Sequence, residues 1–158
     1  MTVLMAIDQG TTSTRAVAFD KDLNIIHSEQ KEYSLLYPND GWVEIEPKTL
    51  MDSVYATIDP VIDICPDIVA IGITNQRETT LIWDADSGLP IYNAIVWQDR
   101  RTADRCMQLK KAGYEEVIRN KTGLLLDPYF SSTKISWILD NIDGARTKAE
   151  AGKLRFGT

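Results

Sequence analysis

The chain has 158 residues, 44% of them hydrophobic, and a formal net charge of -6. That length and apolar content suffice for a packed core of ordinary domain size, while the negative charge argues against partners recognised through nucleic acid phosphates or an anionic membrane surface, since both need a basic footprint. No apolar run approaches the roughly 20 residues that span a bilayer, and no basic segment leading into an apolar one opens the chain, so the sequence reads as cytoplasmic.

Cys65 and Cys106 have no paired spacing, and His27 is the single histidine. This leaves no Cys/His zinc set and no disulfide framework, as expected in a reducing compartment. Ser-His-Asp or Cys-His chemistry would require His27, which falls in a predicted edge strand and reads as a surface histidine. Chemistry therefore falls to carboxylates, hydroxyls, arginine and a hard metal ion.

In chain order, Val3 to Ile7, Arg15 to Phe19 and Ile25 to Tyr33 read as strands, and their short connections predict an antiparallel meander. A turn-rich loop (Pro38, Asn39, Asp40, Gly41) leads to Pro47, which suits the first turn of a helix. Leu50, Val54, Ile58, Val61 and Cys65 then recur at helical spacing, with a kink expected at Pro60. Asp67 to Thr74 is nearly all apolar and reads as a strand covered on both faces, reached by a helical crossover that makes it parallel to the first. Thr80 to Trp83 and Ala94 to Trp97 read as strands around Asp86-Ser87-Gly88, followed by helices at Arg101 to Ala112, Glu115 to Asn120, Ser132 to Leu139 and Ala145 to Ala151. The predicted class is α/β with a mixed sheet. Lys153 to Thr158 looks like another strand without a partner, which predicts a piece of a longer protein. Residues 1–158 form one expected lobe.

The most unusual stretch is Asp8-Gln9-Gly10-Thr11-Thr12-Ser13-Thr14-Arg15. A hairpin turn needs fewer polar residues, and hydroxyls that satisfy nearby backbone would explain only part of it. It is neither a Walker A loop nor Gly-x-Gly-x-x-Gly. A glycine bend, successive N–H groups, hydroxyls and an acid at a strand end do describe a site for a phosphate and its cation. Farther on, Arg77 and Glu78 close an apolar strand, the end of an open α/β sheet where ligands bind. Arg100 and Arg101 read as a helix-start or surface charge cluster, and Trp42, Trp83 and Trp137 as packing residues.

Four ordered blocks carry a resemblance: Asp8 to Arg15, Gly72-Ile73-Thr74-Asn75-Gln76-Arg77-Glu78-Thr79-Thr80, Ala94-Ile95-Val96-Trp97-Gln98-Asp99-Arg100-Arg101-Thr102, and Asp127-Pro128-Tyr129-Phe130-Ser131. Together they resemble the amino-terminal part of the glycerol kinases within the FGGY carbohydrate kinase family. The resemblance implies a ribonuclease H-like lobe of the actin and hexokinase type, incomplete at its C-terminus, and ATP-dependent phosphorylation of glycerol to sn-glycerol 3-phosphate, with ATP and Mg2+ as cofactors. It implies that Asp8 lies near Mg2+, that Thr11, Thr12 and Ser13 line the phosphate loop, and that Arg15 approaches the transferred phosphoryl group. It further implies that Arg77 and Glu78 bind glycerol hydroxyls and that Trp97 and Tyr129 form the pocket walls, core packing being the alternative reading of Trp97. The family's catalytic base and adenine pocket belong to segments this chain does not reach, so the chain alone is expected to be inactive. The longer protein could be a homo-oligomer. Rival readings are another FGGY kinase acting on a pentulose, a non-catalytic fragment, and a ribonuclease H-type nuclease using Asp8.

Overall fold

The computed structural model describes residues 2–158 and divides into two compact units, one formed by residues up to Leu35 with Glu46–Gln76, the other by Leu36–Ile45 with Arg77–Thr158. The first unit holds a four-stranded sheet in the order β3-β2-β1-β5, made of β1 (Val3–Gln9), β2 (Ser13–Phe19), β3 (Ile25–Glu32) and β5 (Ile68–Thr74). β1 runs antiparallel to β2 and parallel to β5, with Ile7 opposite Ala16 on one side and Ile73 on the other. The three early strands and the crossover follow the expected pattern.

Strand alternation puts Val3, Met5, Ile7, Ala16 and Ala18 on one face, where they are buried with Val61 and Cys65 of the crossover helix segment. That helix, α1 (Pro47–Ile64), starts at its proline as expected and runs unbroken through Pro60. Of the predicted stripe, Val61 and Cys65 are buried and Ile58 packs against the core, while Leu50 and Val54 are half-buried; the other fully buried positions of the helix are Ser53 and Thr57. Small hydroxyl residues let the helix approach the sheet closely, and their polarity is satisfied internally: Thr14 Oγ1 and Ser53 Oγ are 2.6 Å apart, Ser53 Oγ donates to the Leu50 carbonyl, and Thr57 Oγ1 to those of Ser53 and Val54.

β5 departs from expectation in its surroundings. Val69, Ile71 and Ile73 are 65%, 54% and 73% exposed, so nothing among the described residues covers this apolar strand.

In the second unit, β4 (Glu44–Ile45) pairs antiparallel with β7 (Ala94–Ile95), and β6 (Leu81–Asp84) pairs antiparallel with β8 (Leu154–Gly157). The terminal strand therefore has a partner, Ile82 lying opposite Phe156. The helices are α2 (Ala103–Lys111), α3 (Tyr114–Thr122), α4 (Ser131–Asn141) and α5 (Ala145–Glu150). α3 buries none of its residues but carries Glu115 and Glu116 in its first turn and Arg119 and Lys121 in its last, complementing the helix dipole. Ile82, Ile95 and Ile138 form the apolar centre, with Trp137, Tyr92 and Leu154 packed around it.

Beside that centre lies a buried ionic cluster. Arg101, whose side chain is only 1% exposed, donates from Nη2 to Glu44 Oε1 at 2.7 Å and Asp99 Oδ2 at 2.8 Å. Its guanidinium carbon sits 3.9 Å from the Trp42 ring centre and 4.5 Å from that of Trp137. Arg101 is thus no surface charge, whereas Arg100 is exposed and pairs with Asp127 at 3.1 Å. Tyr92 and Asn93 also donate to Glu44, and the Val43 N–H donates to Asp99. Burial alone would raise the Glu44 carboxyl, but the bonds from Tyr92, Asn93 and Arg101 outweigh it and hold the group below the usual glutamate range.

Candidate active site

The phosphate-side candidates all belong to the first unit. Asp8 lies near the end of β1, exposed, opposite Arg15 on β2 and Thr74 on β5. Gly10, Thr11 and Thr12 make the turn into Ser13, closed by the Gly10 N–H donating to the Ser13 carbonyl at 2.9 Å. A Cβ at position 10 would meet that same oxygen at 3.0 Å, so any larger residue crowds the bond that closes the turn. Arg15 donates from Nε and Nη2 to Gln30 Oε1 at 3.1 and 2.6 Å, and Gln30 in turn donates to Ser13 Oγ, so the cation is aimed along the same hairpin.

Sequence reasoning missed the brace beneath this loop. The Tyr33 hydroxyl donates to the Gly10 carbonyl and accepts from Gln9 Nε2 at 3.0 Å and Gln76 Nε2 at 2.9 Å, while the Tyr33 N–H donates to the Thr12 carbonyl. Burial pushes the phenol up from its ordinary value, with Asp8 adding to the effect against the opposing Gln9 bond, so the hydroxyl stays a donor. One ring thereby joins the end of β1, the loop and the residues after β5.

A cation could find only part of its ligand set here. Among the described residues no group of three or more His, Cys, Asp or Glu side chains could hold a metal. A single exposed carboxylate beside hydroxyls suits a Mg2+ that arrives on a nucleotide and keeps several waters, rather than one held by the protein alone.

The acceptor-side candidates belong to the second unit. Glu78 has φ 68°, a left-handed conformation uncommon for a residue with a side chain. Its Oε2 accepts from the Ser131 N–H at 2.7 Å and Ser131 Oγ at 2.6 Å, placing the carboxylate on the N-terminus of α4. Both bonds use Oε2, and Oε1 takes part in neither. Trp97 and Tyr129 meet edge to face, 5.9 Å between centroids, and Tyr129 meets Phe130 in the same way at 5.1 Å. The Trp97 N–H donates to Thr79 Oγ1, tying that ring's backbone to the segment carrying Glu78. Arg77 precedes Glu78 and is exposed. The structure thus brings Glu78, Trp97 and Tyr129 together from three distant stretches.

Lys134 gave no signal in the sequence. It is fully buried and donates from Nζ to the carbonyls of Glu78 at 2.7 Å and Tyr129 at 2.8 Å. Burial lowers it to about 8, opposed in part by the Asp99, Glu78 and Asp127 carboxylates.

Beside these residues a cavity of 330 Å³ is lined by Ile118, Leu124, Leu125, Phe130 and Phe156, with Glu78, Ser131 and Asp127 at its polar side.

Residues 3–157 match the N-terminal domain of the FGGY family of carbohydrate kinases. A glycerol kinase of Geobacillus sp. (strain WCH70) is 55% identical over 159 residues, covering 98% of this chain and 32% of the relative. A glycerol kinase of Bacillus subtilis (strain 168) is 53% identical, covering 99% of this chain and again 32% of the relative. The chain therefore spans about a third of the length of the curated relatives it matches. Among solved structures, Plasmodium falciparum glycerol kinase with ADP superposes with a TM-score of 0.94 and 35% identity over 100% of this chain and 32% of that one. Ligand-bound xylulose kinase from Lactobacillus acidophilus superposes with a TM-score of 0.82 and 27% identity over 89% and 29%. The fold is that of the actin and hexokinase-like ATPases.

Proposed function

The chain belongs to the FGGY family of carbohydrate kinases, and from that premise we propose that it forms the amino-terminal third of a cytoplasmic enzyme that transfers the γ-phosphoryl group of ATP to glycerol, giving sn-glycerol 3-phosphate. The observation that carries the choice of glycerol is the identity of 53–55% to relatives named glycerol kinase, against 27% to a pentulose kinase of the same family.

The residues suit the division of labour. Phosphoryl transfer asks a protein to position reactants and offset charge rather than to supply covalent chemistry. The Gly10 to Ser13 turn offers backbone N–H groups and the hydroxyls of Thr11, Thr12 and Ser13 to a phosphate, and Arg15 brings a compensating positive charge. Asp8 would hold the waters of a nucleotide-borne Mg2+, whose contribution is to neutralise charge on the phosphates. On the acceptor side, Glu78 Oε1 accepts from one glycerol hydroxyl, Arg77 donates to another, and Trp97 with Tyr129 covers the carbon chain. A buried polar site of this kind rejects molecules that leave its groups unpaired. The general base and the adenine site lie in segments beyond this chain, so the chain alone does not turn over.

The test is a substrate panel on the full-length protein. With ATP and Mg2+, glycerol should exceed D-xylulose in kcat/KM by at least about a hundredfold. Comparable turnover of the pentulose would transfer the assignment to the sugar kinases of the family.

A further inference from the structure

We propose that Lys134 is a positioning residue for the acceptor site, its buried amine tying the backbone of Glu78 to that of Tyr129 and so fixing the carboxylate and the ring assigned to glycerol. The inference rests on the glycerol reading above and extends it to a residue that touches no substrate.

Lys134 is 0% exposed and is the largest fully buried side chain among the described residues. Lysine is seldom fully buried, and an apolar residue of similar volume would fill the same space without removing a charge from water. What an apolar residue could not do is donate to two main-chain carbonyls, and Nζ makes those bonds at 2.7 Å to Glu78 and 2.8 Å to Tyr129.

The choice of acceptor atoms matters. Because Lys134 bonds the carbonyls, it leaves the Glu78 carboxylate and the Tyr129 hydroxyl for ligand. Glu78 needs such support, since its left-handed backbone (φ 68°) is intrinsically unfavourable for a residue with a Cβ. Its carbonyl also accepts from Thr80 Oγ1 at 3.3 Å. The carboxylate is held separately, at Oε2, by the N–H and Oγ of Ser131. Ser131 and Lys134 are three residues apart on α4 and so share one face of its first turn. A single helical turn therefore latches Glu78 twice, by main chain and by side chain, and Tyr129 once. The latch does not depend on the ammonium charge, because a neutral amine keeps two N–H donors and two carbonyls are all it serves.

The experiment compares wild type, Lys134→Met and Ser131→Ala in the full-length protein. Lys134→Met keeps length and apolar bulk and removes the donors; Ser131→Ala removes one bond to Glu78 Oε2 and leaves the helix intact. Lys134→Met should raise the KM for glycerol by about tenfold or more, with the KM for ATP within about twofold of wild type, and Ser131→Ala should shift the glycerol KM the same way by a few-fold. Equal rises for both substrates, or a loss of thermal stability with the glycerol KM unchanged, overturn the proposal. If Lys134→Met does not fold, Ser131→Ala decides, and an unchanged glycerol KM counts against the latch. Amide exchange at Ser131, whose N–H is bonded to Glu78, reads the latch without turnover: Lys134→Met should speed it by about tenfold or more, and unchanged exchange overturns the proposal. A wild type inactive on glycerol would remove the functional reading, while the exchange measurement still decides whether Lys134 fixes Glu78.

Discussion

Replacing Arg101 with leucine would strip the second unit of the cation that Glu44 and Asp99 both bond. In the native protein the guanidinium bonds Glu44 once and Asp99 three times at 2.7–3.0 Å, and its carbon packs against the edge-to-face pair of Trp42 and Trp137. Removing one member of a buried ionic cluster costs about 3 to 5 kcal/mol, because the remaining charges stay desolvated. Loss of stacking on desolvated indole adds up to about 2 kcal/mol, and the apolar bulk of leucine returns a comparable amount. The expected net loss in Arg101→Leu is therefore about 3 to 5 kcal/mol, measured by urea unfolding of the full-length protein near neutral pH. The pH dependence is the sharper signature. With the cation gone, Glu44 stays at 3% side-chain exposure but loses the Arg101 bond and charge that help to hold its carboxyl low, so the native variant retains a proton that the unfolded chain releases. Proton binding by the native state exceeds that of the unfolded state, and the stability deficit should shrink as pH falls from about 7 to about 5. A deficit below about 1 kcal/mol, or one that grows on acidification, would refute this account of the cluster.

Three further outcomes follow from the site, all in the full-length protein. Asp8→Asn keeps the shape of the loop and removes its charge, so kcat should fall by at least about a hundredfold while glycerol binding, followed by calorimetry, is unchanged. Glu78→Ala should cost about 1 to 3 kcal/mol in glycerol binding, seen as a raised glycerol KM with the ATP KM nearly intact; weakened ATP with glycerol untouched would remove Glu78 from the acceptor site. Between Lys134's folded value of about 8 and the ordinary 10.5, the unfolded chain holds a proton that the native state has released, so stability should rise with pH across that window by up to about 3 kcal/mol relative to Lys134→Met, and a parallel pair of unfolding midpoints would show that the amine is not desolvated.

The parts of the fold that could be read in advance are those set by local pattern. β1, β2 and β3 announce themselves as short strand-like runs with short connections, and α1 by Pro47 and its helical spacing. On α1 the apolar spacing found Val61 and Cys65 but missed Ser53 and Thr57, whose hydroxyls are satisfied in the interior by Thr14 and the helix's own carbonyls. The apolar run of β5 identified a strand but not its exposure, which depends on what packs against it. Arg101 looked like surface charge because Glu44 and Trp42 lie far upstream and Trp137 far downstream. Lys134 was illegible for a different reason, since its partners are backbone carbonyls and no residue type records them. The candidate site divides in the same way. The loop at Asp8 to Arg15 is one contiguous stretch and could be seen, but the Tyr33 brace needed Gln9, Gln76 and Gly10 to be brought together by the sheet.

A crystal structure of the full-length protein grown with glycerol tests the central claim most directly. The account predicts a glycerol hydroxyl within hydrogen-bond distance of Glu78 Oε1, a second at the Arg77 guanidinium, and the carbon chain against the rings of Trp97 and Tyr129, with Glu78 Oε2 still bound to Ser131. Glycerol seated away from Glu78 and Tyr129, or a site that binds a pentulose in its place, would contradict it.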